Sequence, residues 1–142
     1  MGVKKLRYTK DGHEMHCGIN FLGHYLLTHY LWPKLNSAPF FRVLNVSSVA
    51  HIRVQSFKKY VDFFDLDNIN FEARKYLHDE AYSLSKFYIN LATHSIAEKT
   101  NSKGYVVSLH PGFARTPLVF GALNLWQRVF SSLIWFFSKN SE

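Results

Sequence analysis

Phe40–Ser47, FFRVLNVS, is the stretch whose reading decides the fold. Aromatic and β-branched residues dominate it, and a short apolar run of this kind suits a strand buried on both faces. A second such run, YVVSL at Tyr105–Leu109, ends in HPG. Between them the spacing predicts a long helix over 79–100, with Ala81, Leu84, Ile89, Ala92, Ile96 and Ala97 on its apolar side. Asn101-Ser102-Lys103-Gly104 is its stop signal. Strand, helix and strand in this order argue for an α/β layered fold with parallel strands.

Working outward, Asp11–Asn36 reads as another helix, with Ile19, Leu22, Tyr25, Leu26, Tyr30 and Leu31 at helical spacing. Asp11 is its expected N-cap, with Glu14 three residues later. Residues 52–78 are irregular and mixed in charge, which predicts a long loop with short elements, and loops of that length are usually functional. Leu118–Phe137 is strongly apolar and long enough for a membrane span. Asn124, Gln127 and Arg128 interrupt it, so a lid or interfacial helix ranks first, peripheral membrane contact second and a true span third.

The 142 residues suit one domain, and 47% are hydrophobic, which excludes a disordered chain. The formal charge of +7 is scattered, apart from a basic run at Lys4, Lys5, Arg7 and Lys10. No basic stripe interleaved with aromatics tracks a phosphate backbone, so nucleic acid is not an expected partner. A single cysteine, Cys17, excludes a disulfide framework and a cysteine-based zinc site. His13, His16, His24 and His29 share the first helix, but a metal site needs acidic or cysteine partners in a defined geometry, and this spacing is read as structural. The N-terminus shows no signal-peptide pattern, and the expected location is intracellular, with membrane association through 118–137.

The chemistry starts from AYSLSKFYIN, Ala81–Asn90. Tyr82 and Lys86 are four residues apart and so share a helix face. A phenol titrates too high to serve as a base at neutral pH, and a neighbouring cation lowers that barrier. Such a pair can exchange a proton with a substrate oxygen. Alone, the spacing fits a lysine snorkelling past a half-buried tyrosine better. Ser47-Ser48 at a strand end adds context, because ligands bind at the C-terminal ends of strands in open α/β sheets. Pro111-Gly112 ends the next strand, where glycine lets backbone approach a ligand closely.

Taken in order, TKDGHEMHCGINFLGHYLLT, RVLNVSSVAH, YSLSK and LHPGFARTPL resemble the C-terminal part of a short-chain dehydrogenase/reductase, nearest the retinol dehydrogenase-like branch. The resemblance covers nearly the whole chain. It implies that Asn20 helps to hold a proton-relay water and that Ser48 polarises the substrate carbonyl. By the same likeness Tyr82 is the general acid/base. Lys86 lowers the tyrosine pKa and bonds the nicotinamide ribose, and Pro111, Gly112 and Thr116 lie beside the nicotinamide. Tyr82 and Lys86 thus also count as cofactor-binding. The implied reaction is hydride transfer between NAD or NADP and a lipophilic alcohol or carbonyl, with 117–137 as substrate lid. His24, His51 and His110 fall inside these motifs, which accounts for them better than a metal does.

The resemblance stops where the family carries TGxxxGxG and NNAG segments, since no three glycines here have that spacing. The expectation is therefore residues 1–142 as one incomplete Rossmann-type domain holding two adjacent strands, with an apolar open edge at Phe41–Val46. Such an edge invites a homodimer or a partner chain. Weak or absent activity is expected of these residues alone. The alternative is a non-enzymatic accessory subunit derived from a dehydrogenase.

Overall fold

A computed structural model describes residues 3–57, 69–100 and 103–112. The expected lid at 117–137 and Thr116 lie outside these residues. Val3–Pro111 forms one contact unit, and Gly112 belongs to a second. A π-helical turn, Cys17–Leu22, leads into α1 (Gly23–Ser37), then β1 (Phe41–Val46), a 3-10 turn (Val49–Arg53), α2 (Val54–Phe57), α3 (His78–Glu98) and β2 (Gly104–Leu109). The strands pair in parallel, from Phe41 opposite Gly104 to Val46 opposite Leu109. The chain returns between them through α3, the long crossover that parallel pairing needs.

The first helix starts later than Asp11. Gly12 takes φ +83°, left-handed backbone that breaks a helix at that point. Thr9 N–H donates to the His13 carbonyl, and Tyr8 bridges Glu14 antiparallel across the turn. Glu14 becomes the cap: its Oε2 accepts from the Cys17 N–H at 2.8 Å, and its carbonyl accepts from the Gly18 N–H at 2.7 Å. α3 follows the reading closely, with Asp79 and Glu80 in its first turn, where the helix dipole favours acids.

β1 is not buried on both faces. Side chains alternate across a strand, and Phe41 and Asn45 turn to one side with Val106 of β2, where all three are buried. Trp32 of α1 meets Phe41 edge-on at 5.7 Å, and Asn45 Nδ2 donates to Thr93 Oγ1 of α3 at 2.8 Å. On the other side Leu44 is 59% and Tyr105 64% exposed, with Val46, Val107 and Leu109 also open. An apolar run licenses burial but does not supply a covering layer.

The buried cluster lies at the N-terminal half of α3, where Val54, Phe71, Ala81, Leu84 and Tyr88 pack together. Phe71 comes from the stretch read as loop, is 2% exposed and takes φ +60°. Arg74 lays its guanidinium 3.9 Å from the Phe71 ring centre and pairs with Glu80. The described end of that loop is thus a wedge of the core beside the site.

Gly104 begins β2 because nothing larger fits. A Cβ there would lie 2.5 Å from Cε1 of the buried Phe41 ring. Gly104→Ala is expected to cost about 1–3 kcal/mol, the usual range for overpacking, read as a lower urea midpoint. Among the described residues no helix is long and apolar enough to cross a membrane.

Candidate active site

The polar side chains gather where β1 ends. Lys86 Nζ donates to the Val46 carbonyl at 2.9 Å, and Ser47 Oγ donates back to the Lys86 carbonyl at 3.1 Å. The Ser47 N–H donates to the Leu109 carbonyl at 2.8 Å, tying the same point to β2. The third turn of α3 is therefore fastened to the end of the sheet. Burial holds the Lys86 ammonium below its ordinary pKa. Its bond at Val46 goes to a neutral carbonyl, which leaves its charge uncancelled there.

Tyr82 stands one turn earlier, half-buried, with Lys86 Nζ 5.9 Å from its ring centre. Asn20 reaches the same helix from the π-helical turn. Its Nδ2 donates to Ser85 Oγ at 3.0 Å, and Ser85 Oγ donates to the Tyr82 carbonyl at 2.7 Å. Ser85 is fully buried, so this relay is shielded from water. The widened turn around Asn20 closes with the Gly23 N–H on the Gly18 carbonyl, five residues back. A Cβ on Gly18 would meet Thr9 Cγ2 at 2.6 Å, so glycine is what lets this turn pack.

Ser48 lies just past β1 and caps the 3-10 turn, its Oγ accepting from the Ala50 N–H at 3.2 Å. As an acceptor there, the hydroxyl keeps its own proton to donate. His51 Nδ1 donates to the Ser48 carbonyl and fixes the turn from the other end. Pro111 is exposed after β2, and Gly112 has φ +79° with nothing within 4 Å of where a Cβ would stand. The structure thus links Asn20 to the Tyr82 backbone through Ser85, sets Lys86 beside the Tyr82 ring with its ammonium on Val46, and places Ser48 two residues beyond Val46.

Two participants escaped the sequence reading: Ser85 and the π-helical turn. Ser85 had a usable signal, a small hydroxyl three residues after Tyr82. The turn had only Gly18 and Gly23 inside an otherwise helical pattern.

A second buried cluster adjoins Tyr82. Glu14 and His16 are bonded to each other, Tyr76 joins them, and the His16 ring stands 6.0 Å from the Tyr82 ring at 74°. Burial, then the Glu14 charge, pushes the Cys17 thiol up to about 12. The thiolate is the reactive form, so Cys17 is expected to resist iodoacetamide at pH 8 in the folded chain and to alkylate once urea unfolds it. Mass spectrometry reads both. Among the described residues no three His, Cys, Asp or Glu side chains gather as a metal site would require.

A parallel strand–helix–strand unit with its polar groups at the strand end defines an α/β protein of the Rossmann type. Comparison with known proteins narrows this. The chain is 40% identical over 111 residues to human retinol dehydrogenase 13, covering 78% of this chain and 31% of that protein. It is 38% identical over 121 residues to human retinol dehydrogenase 11, covering 83% and 35%. With human retinol dehydrogenase 12 it shares 36% over 138 residues, covering 94% and 41%. A crystal structure of an uncharacterized protein from Mycobacterium paratuberculosis matches with a TM-score of 0.62 and 29% identity, over 84% of this chain and 41% of that one. No family model matches the chain. Over the segment it spans, the chain is homologous to retinol dehydrogenases of the short-chain dehydrogenase/reductase family. It spans between 31% and 41% of the length of these three relatives.

Proposed function

We propose that the chain supplies the proton-transfer part of an NAD(P)-dependent oxidoreductase acting on a lipophilic alcohol or carbonyl. The observation that carries this is Lys86, a half-buried cation fastened at the end of β1 and held beside the Tyr82 ring. When bound, the nicotinamide supplies or accepts the hydride. The residues present fit its ribose end: Lys86 has ammonium protons beyond the one given to Val46, and Pro111 stands exposed just after β2. Thr116 completes that segment by family likeness. The glycine-rich pyrophosphate turn is not among the 142 residues.

In the reducing direction Ser48 donates a hydrogen bond to the substrate oxygen, and Tyr82 gives that oxygen its proton. The phenolate left at Tyr82 faces the Lys86 charge, in surroundings where attraction is less screened than in water. Ser85 and Asn20 hold the turn that carries Tyr82, and Asn20 guides the water that returns the proton. Oxidation runs the same steps backward. The apolar segment 118–137 supports a lipophilic substrate.

Two proteins test this. The chain alone is expected to leave NADPH fluorescence unchanged. The chain fused behind the dinucleotide-binding segment of human retinol dehydrogenase 13 is expected to bind NADPH and reduce retinal. Tight NADPH binding by the chain alone overturns the expected impairment. A folded, NADPH-binding fusion with no turnover of retinal or other lipophilic carbonyls overturns the enzymatic reading.

The exposed apolar side of the sheet favours a second reading, an accessory subunit whose Leu44, Val46 and Val107 face is covered by a second copy or another protein. A stable monomer in size-exclusion chromatography with light scattering would exclude obligate docking.

A further inference from the structure

His16 is 5% exposed and Glu14 1%. Glu14 Oε1 lies 2.9 Å from His16 Nδ1, and an ionised carboxylate only accepts, so Nδ1 carries the proton and Nε2 the lone pair. Tyr76 O–H donates to the Val3 carbonyl at 2.9 Å, and its oxygen lies 3.2 Å from His16 Nδ1. One edge of the imidazole is thereby anchored by two side chains. The Nε2 atom is buried and has no partner among the described residues.

An orphaned buried acceptor is costly, because it gives up its hydrogen bonds to water and gains none in return. A phenylalanine would fill a similar space without that cost, but it has no Nδ1 with which to hold Glu14. What the histidine adds is a ring whose plane is set from one edge. The aromatic neighbour of that ring is Tyr82, 6.0 Å away and nearly perpendicular. Free rotation of the Tyr82 phenol requires the imidazole to yield, and the Glu14 bond resists this.

We propose that His16 is a positioning residue for Tyr82, an imidazole locked by Glu14 and Tyr76 that fixes the orientation of the phenol ring. Its functional meaning rests on the reading of Tyr82 as the proton-transfer group. The physical claim concerns only how the ring is held.

The test uses the full 142-residue chain with ring-labelled tyrosine and NMR measurement of ring-flip rates. His16→Phe keeps a ring and loses the anchor. Tyr82 is expected to flip at least about tenfold faster, while Tyr88, in the same helix, keeps its rate, since buried ring motion follows local packing. An unchanged Tyr82 rate overturns the proposal. Equal acceleration of Tyr82 and Tyr88 overturns it too, because His16 would then serve the core at large. Should His16→Phe not fold, His16→Asn keeps a donor to Glu14 and removes the ring: the same selective acceleration supports the proposal, and no change sinks it. No cofactor enters this measurement. A held Tyr82 in a fusion without turnover leaves the positioning intact and removes the oxidoreductase reading, and turnover with an indifferent Tyr82 does the reverse.

Discussion

Tyr82→Phe in the active fusion is expected to lower kcat about a thousandfold, within the range that general acid–base catalysis contributes. That loss corresponds to about 4 kcal/mol of barrier. The substitution deletes one oxygen and keeps the ring. The edge contact with His16 survives, and so does the bond between Ser85 and the Tyr82 backbone, so the fold should not move. Lys86 keeps its bond to Val46 and its remaining donors, so NADPH affinity should stay within about threefold, the pattern of a lost transition-state interaction. Steady-state kinetics with an NADPH titration separates the two quantities. A Tyr82→Phe fusion with near-normal kcat would take Tyr82 out of the chemistry and leave it a packing residue.

The largest stability effect is expected at Glu14, a carboxylate that the fold buries almost completely. Glu14→Ala strips the cap from the Cys17 N–H and the partner from His16 Nδ1, and leaves a void where the side chain was. A lost cap costs about 1 kcal/mol and each newly unsatisfied buried donor about 1–3 kcal/mol. Part of this is relieved by relaxation, and the expected total is about 3 kcal/mol, read by urea unfolding. A loss below about 1 kcal/mol would show that the cluster is solvated in solution.

Glu14 also gives the stability a pH dependence. Burial by itself raises its pKa, but hydrogen bonds from the His16 side chain and the His16 and Cys17 backbone outweigh this and hold it below its ordinary value of 4.5. A carboxyl depressed by folding stabilises above its unfolded pKa, and that contribution is lost as pH falls through the folded value. Wild-type stability should therefore decline with acidification below about pH 4.5, and Glu14→Gln should lack that part of the decline.

Short-range rules carried the main elements. The strands at Phe41–Val46 and Gly104–Leu109 and the helix at His78–Glu98 came from apolar runs and 3.6-residue spacing, signals written in adjacent residues. The four-residue interval placed Tyr82 and Lys86 on one face for the same reason. The helix cap moved from Asp11 to Glu14 because Gly12 adopted a left-handed turn that Thr9 and His13 close, a local option the capping pattern does not rank. Burial of β1 on both faces failed because composition describes a strand's tolerance and not its neighbours. The loop read at 52–78 contributed Phe71 to the core, since one residue at φ +60° can turn a ring inward without any periodic signal.

By itself the sequence determined an α/β unit with parallel strands, a Tyr–Lys pair on one helix face and a serine at the end of the first strand, because each depends on spacings of a few residues. Only the tertiary structure decided which groups that pair meets. The Lys86 bond to the Val46 carbonyl spans 40 residues, the Asn20–Ser85 bond 65 and the Tyr76–His16 contact 60. Bonds at such separations depend on how helices and strands pack, and packing is a property of the assembled core that no local pattern encodes.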